Sequence, residues 1–176
     1  VEHPIRFHTK SGVLTATRNG DLIQLDFPAT PAEACLPPAS LVEALGVQPT
    51  FIGRTKFDSF LVADSAATVR QLRPDFRRLA EIAVRGVIVT APSDDSRYDF
   101  VSRFFCPAVG INEDPVTGSA HCALAPFWGQ RLQKTRMTGF QASARGGVVH
   151  VHCSGDRVLL GGQAVLIAKG EIIAPA

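Results

Sequence analysis

Apolar residues alternate with polar ones through most of this chain, in short runs broken by Gly, Pro, Asn and Asp. This is the period-two pattern of half-buried strands. It predicts strands at Ile5–Phe7, Val13–Thr17, Leu22–Phe27, Phe51–Arg54, Ser59–Ala63 and Val87–Ala91, and again at Tyr98–Phe105, Met137–Ser143, Val148–Cys153, Arg157–Leu160 and Ala164–Ala168. Asn19-Gly20 is a two-residue hairpin turn between the second and third of these. Gly146-Gly147, Gly155-Asp156 and Gly161-Gly162 separate the later ones. Two short helices are expected. One spans Ser40 to Leu45, with Ser40 as its cap and Gly46 as its stop. The other spans Asp75 to Ile82, with Pro74 at its start.

One stretch breaks the pattern. Gly118 to about Leu132 has helical length and no polar face: Ala120, Cys122, Ala123, Leu124, Ala125, Phe127 and Trp128 point all round. A helix apolar on every side is buried on every side. Pro126 inside it lacks an N–H, which frees the Cys122 carbonyl and predicts a kink. Strands flank this helix on both sides in sequence. The fold class that satisfies this order is α+β: a barrel-like, mostly antiparallel sheet wrapped around one central helix. A doubly wound sheet would need alternating helices. The proline-rich run from Pro28 to Pro38 divides the chain into a segment 1–30 and a lobe 31–176.

The central helix also has a chemically distinctive start. Glu113-Asp114-Pro115 keeps the chain extended before it. Thr117 and Ser119 bring hydroxyls, and Gly118 and Ala120 leave the backbone open to close approach. The first N–H groups of a helix have no internal partner, and the dipole makes that end positive. Gly118, Ser119 and Ala120 are therefore the candidate binding residues for a carboxylate or phosphate. Asp114, just upstream, is the candidate for handling a proton or orienting a ligand.

Charge adds little. Eighteen Lys and Arg against sixteen Asp and Glu give +2, too balanced for a nucleic-acid footprint. Arg70, Arg73, Arg77, Arg78 and Arg85 interleave with Leu72, Phe76, Leu79 and Ile82 and read as the wet side of an amphipathic segment. Cys35, Cys106, Cys122 and Cys153 form no CxxC pair. With no signal peptide and no membrane-length apolar run, the expected compartment is the reducing cytoplasm, with no membrane partner. His150 and His152 share one face of a strand, without the further ligands a metal needs.

The run Gly-Ile-Asn-Glu-Asp-Pro-Val-Thr-Gly-Ser-Ala-His at 110–121, followed by Pro126-Phe127-Trp128, closely resembles the signature of PhzF-like isomerases of phenazine biosynthesis, in the diaminopimelate epimerase superfamily. The likeness extends to Phe7–Gly12, Leu25–Pro28, Asp99–Phe105, Gln141–Gly147 and Gly161–Val165. It implies a two-lobed enzyme with its site between lobes, a small carboxylate-bearing substrate, and proton-transfer isomerisation without metal or organic cofactor. It implies that Asp114 and Ser119 line the substrate site. It also implies a catalytic glutamate and a Gly-His helix start in the first lobe. The chain contains no Gly-His dipeptide, so it is expected to be the second lobe plus the last strands of the first, and inactive alone. A homo-oligomer, or association with the first lobe, is the expected assembly. The superfamily's racemases place a cysteine where this chain has Thr117, so two-thiol racemisation is not expected here. The alternative, from another class, is a non-catalytic binding or scaffold protein that kept the lobe.

Overall fold

The structure, a computed structural model, describes residues 4–10 and 12–171. Ser11, within one of the resembling stretches, and residues 172–176 lie outside them. Strands β1 (Ile5–Thr9), β2 (Gly12–Asn19), β3 (Leu22–Pro28), β4 (Glu33–Ala34), β5 (Phe51–Arg54) and β6 (Ser59–Val62) come first. Then follow β7 (Val87–Pro92), β8 (Phe100–Cys106), β9 (Ile111–Glu113), β10 (Arg136–Gln141), β11 (Gly147–Ser154) and β12 (Arg157–Gly162). The helices are α1 (Ala39–Leu45), α2 (Ala66–Gln71), α3 (Phe76–Ala80) and α4 (Gly118–Leu132).

All the strands join one sheet in the order β1, β2, β3, β12, β11, β10, β8, β7, β6, β5, β4, with β9 folded back on β8. Pairing is antiparallel except at β8–β10 and β6–β7. The sheet wraps α4. Phe60, Ile88 and Phe104 meet it from strands before it in sequence, and Met137, Val151 and Leu160 from strands after it. Phe100 stacks parallel to Trp128 with centroids 6.2 Å apart, and the indole N–H donates to Thr90 Oγ1 at 3.0 Å. The expected helix, its length and its enclosure are thus observed, as is the α+β class.

The other face of β6, β7 and β8 is covered by α1, α2 and α3, through Leu41, Leu45, Val69 and Leu79 against Leu61, Val89 and Phe105. Burial on both faces explains why β8 is buried at every position, Ser102 and Arg103 included. Thr117, Ser102 and Gln141 are buried polar exceptions around α4.

Several local expectations need correction. Ser40 lies inside α1. Pro38 holds the N-cap position, its carbonyl accepting from Leu41 N–H at 2.9 Å, while Gly46 closes the helix at φ 66° as expected. α2 was not legible as a helix; Ser65 caps it by accepting from Thr68 N–H at 3.1 Å. Ala164–Ala168 forms no strand. Val165, Leu166 and Ile167 are more than four-fifths exposed, since β-propensity is expressed only against a neighbouring strand. The run 28–38 contains β4 and is pinned to the lobe: Ala29 N–H donates to Asp156 O and Thr30 N–H to Cys122 O. The basic cluster needs no correction: Arg70, Arg73, Arg77, Arg78 and Arg85 are exposed while Leu72, Leu79 and Ile82 are buried. Three of the arginines make separate pairs, Arg70 with Asp94, Arg78 with Glu43 and Asp75, and Arg85 with Asp58.

The hairpin β1–β3 prolongs the face that wraps α4. Phe27 packs on the core, but Leu25, Ile23, Phe7 and Ile5 farther along that face are exposed. Among the described residues no helix is long and apolar enough to cross a membrane.

Candidate functional site

The approach to α4 is built by β8. After Cys106 a 3-10 turn at Pro107–Val109 and Gly110, at φ 90°, reverse the chain. Only a residue without a β-carbon takes that φ cheaply. β9 then returns antiparallel along β8 with a bulge at Phe105/Cys106, which sets Glu113 opposite Phe105. Arg103 grips Glu113 in two hydrogen bonds of 2.7 and 2.8 Å. Its remaining amino group donates to the Leu72 carbonyl at 2.9 Å, beyond the end of α2. The guanidinium lies over the Phe105 ring. Glu113 is therefore a structural clamp, and Arg103 pairs with a carboxylate instead of facing solvent.

Asp114 follows. Its N–H donates to Phe104 O at 3.1 Å, and its carbonyl accepts from Gln141 Nε2 at 2.6 Å. The buried Gln141 also accepts from Thr117 N–H at 2.8 Å and donates to Thr117 Oγ1 at 3.2 Å. Because the amide N–H enters that hydroxyl, the single Thr117 hydroxyl proton is directed to Asp114 Oδ2, 2.6 Å away. Among the described residues Asp114 Oδ1 accepts no hydrogen bond, so one carboxylate oxygen is held and the other is open.

This arrangement leaves α4 without a side-chain cap. Thr117 occupies the N-cap position in extended geometry, but its hydroxyl is committed to Asp114. The N–H groups of Gly118, Ser119 and Ala120 have no acceptor among the described residues. Gly118 is exposed, Ser119 half-buried and Ala120 buried. A groove of about 830 Å³ runs up to Gly118 between Leu25, Phe27, Val116, Val149 and Leu160. On the other side of the helix start, Arg85 Nη2 donates to Ser119 Oγ at 3.0 Å. The same guanidinium holds Asp58 at 2.8 and 2.5 Å and lies over the Phe57 ring.

The structure thus brings Asp114, Gly118, Ser119 and Ala120 to one place. It adds Gln141, Arg85 and Asp58, which sequence reasoning missed. Gln141 is the one of these with a signal: a polar residue at an inward position of β10, where Met137 and Gly139 also face the core. Nothing local marks Asp58 or Arg85.

The thiols are not set for proton transfer. Burial pushes Cys122 up to about 12, with Arg157 opposing weakly. Burial first, and Asp114 second, raise Cys106. His121 is buried, its Nδ1 2.8 Å from the Thr117 carbonyl. A carbonyl only accepts, so Nδ1 carries the proton and Nε2 is a bare acceptor, without a partner among the described residues. Burial holds this ring neutral, pushed down to about 4. His150 and His152 lie on the opposite, outer face, where His150 Nδ1 meets Thr138 Oγ1 at 3.2 Å. Among the described residues no group of His, Cys, Asp and Glu is arranged to hold a metal.

Comparison with known proteins follows the same lines. The profile of the PhzC-PhzF family, described as phenazine biosynthesis-like protein, matches residues 2–170. An uncharacterized isomerase of Halalkalibacterium halodurans is 47% identical over 173 residues, 98% of this chain and 65% of the relative. An uncharacterized isomerase of Pseudomonas aeruginosa is 48% identical over 168 residues, 96% of this chain and 64% of the relative. The crystal structure of a PhzF-family phenazine biosynthesis protein from Enterococcus faecalis superposes with a TM-score of 0.88 at 40% identity, covering 98% of this chain and 66% of that one. The chain spans just under two thirds of the length of these relatives.

Proposed function

The chain belongs to the phenazine biosynthesis-like protein family, and from that membership we propose that it is the C-terminal part of a PhzF-like isomerase. The reaction is a proton transfer that isomerises a small carboxylate-bearing metabolite without a metal or organic cofactor. The substrate carboxylate sits on the N–H groups of Gly118, Ser119 and Ala120. Asp114, with Oδ2 fixed by Thr117, offers Oδ1 to orient the substrate or shuttle a proton. The principal acid/base is a glutamate of a first lobe outside these residues. General acid–base catalysis needs that group within hydrogen-bond reach of the transferred proton.

The observation that carries this reading is the uncapped start of α4. An N-cap threonine ordinarily accepts from the first turn; here its hydroxyl serves Asp114 and three donors are left at the positive end of a buried fifteen-residue helix. A preorganised donor set of this kind stabilises negative charge on a substrate. The test is solvent-proton exchange. Candidate cyclic and acyclic carboxylates are incubated in deuterium oxide with the chain joined to a first lobe. A proton-transfer isomerase places deuterium on substrate carbon, and Asp114→Asn slows it by about 100-fold or more. Binding without deuterium incorporation for any carboxylate would instead support a non-catalytic binding protein.

A further inference from the structure

The hydroxyl of Ser119 has one proton and two lone pairs, and its use as a donor to a ligand depends on which way that proton points. Arg85 decides this. A guanidinium is a donor only, so in the 3.0 Å contact between Arg85 Nη2 and Ser119 Oγ the serine oxygen accepts. Its own proton must leave in another direction. The guanidinium is not free to swing away. It is held by two hydrogen bonds to Asp58, whose side chain is only 2% exposed. It also lies over two rings, its centre 5.0 Å from Phe57 and 5.9 Å from Phe104. Asp58 in turn follows the Thr55 turn, where Thr55 Oγ1 accepts from Asp58 N–H at 2.9 Å. Planar, two-pronged pairing of this type fixes orientation as well as charge.

We propose that Arg85 is a positioning residue: anchored on Asp58, it fixes Ser119 Oγ as an acceptor from the protein and so presets the serine proton as a donor to the ligand carboxylate. This rests on the reading that a carboxylate occupies the start of α4. The charge of Arg85 is largely spent on Asp58, so its effect on the ligand passes through Ser119. An ammonium at this position would carry the charge but not the fork that serves Asp58 and Ser119 together.

The probe is benzoate, titrated into the full chain while the Ser119 and Ala120 amide signals are followed by NMR. Ser119→Ala is expected to weaken benzoate by about 3- to 10-fold, the loss of one net hydrogen bond. Arg85→Gln and Arg85→Lys are each expected to weaken it by a similar factor. Combined with Ser119→Ala, each is expected to add less than about twofold, because the hydroxyl it orients is gone. Ser119→Thr, which keeps a hydroxyl, is expected to restore the dependence on Arg85; a general loss of stability would not produce that pattern. If Arg85→Gln unfolds the chain, Arg85→Lys carries the test alone. Equal weakening by the Arg85 variants with and without Ser119→Ala would mean Arg85 touches the ligand directly, and would overturn the proposal. So would wild-type affinity in Arg85→Lys. If benzoate leaves the Ser119 and Ala120 signals of the wild-type chain unmoved, the carboxylate reading itself fails and the positioning role with it.

Discussion

The N–H of Thr30 donates to the carbonyl of Cys122 at 3.0 Å, and Cys122 is the residue whose carbonyl Pro126 leaves without its helical donor. A proline-rich segment that reads as a linker is thereby tied into the middle of the buried helix. An unsatisfied carbonyl there would cost about 1–3 kcal/mol, so the proline and the segment form one unit. The Thr30 amide is expected to exchange slowly for a residue outside any strand or helix. Pro126→Ala returns an N–H that competes for the same carbonyl. In that variant Thr30 exchange should speed up by about fivefold, corresponding to about 1 kcal/mol. Hydrogen exchange read by NMR checks this, and an unprotected Thr30 amide in the wild-type chain would refute it.

His121 sets a pH dependence of stability. Burial lowers its folded value to about 4 from the ordinary 6.5, with the Thr117 carbonyl opposing. Below 6.5 the unfolded chain takes a proton that the folded one refuses. The stability from keeping this ring neutral is therefore complete above about pH 6.5 and is lost as pH falls towards 4. The loss approaches about 3 kcal/mol. Urea midpoints from pH 7 to 4.5 should fall, and His121→Asn should flatten the slope in that window. An unchanged slope in the variant would exclude His121 as its source.

Arg103 is expected to be the costlier half of its pair. Arg103→Met leaves Glu113, 18% exposed, without its partner and strips a donor from the Leu72 carbonyl. About 3 kcal/mol of stability should be lost. Glu113→Gln keeps one hydrogen bond to the guanidinium and should cost about 1–2 kcal/mol. Denaturant titration measures both, and a loss below about 1 kcal/mol for Arg103→Met would show that the clamp is not formed.

Gly147 makes room for the motif. A β-carbon there would lie 2.2 Å from Val116 Cγ2. Gly147→Ala should cost about 1–3 kcal/mol by overpacking. Val116→Ala in the same chain should recover most of it, since the clash is with that side chain. Thermal unfolding of the two single variants and the double variant tests the coupling.

The parts of this fold legible in the sequence are those where one local rule acts alone. The all-apolar run from Gly118 to Leu132 has one physical solution, enclosure, and its limits are found at those residues. Asn19-Gly20 marks the β2–β3 turn to within one residue: Asn19 still pairs with Leu22, and the two loop residues are Gly20, at φ 61°, and Asp21. What was illegible depends on partners distant in sequence. α2 is six residues long and takes its stability from packing on β7 and β8, so its own pattern is too brief to show. Ala164–Ala168 has the composition of a strand, and strand formation needs a neighbour. Of the candidate site, Gly118, Ser119, Ala120 and Asp114 stand in one contiguous run that a local reading can pick out. Gln141 is 24 residues from Thr117, and Arg85 is 34 from Ser119. Only the closing of the sheet around α4 brings them in.

The measurement that bears most directly on the central claim is calorimetric titration of a carboxylated cyclohexadiene into the wild-type chain and Gly118→Val. Gly118 is exposed at the head of the groove, and a β-carbon there would meet only Leu160 Cδ1, at an ordinary 3.6 Å. The substitution therefore adds bulk over the N–H groups of Ser119 and Ala120 at little cost in packing. If the carboxylate sits on that helix start, the wild-type chain binds it and Gly118→Val loses at least about tenfold in affinity, the equivalent of about 1.4 kcal/mol. Affinity in Gly118→Val equal to that of the wild-type chain would place the acid group elsewhere and contradict the assignment.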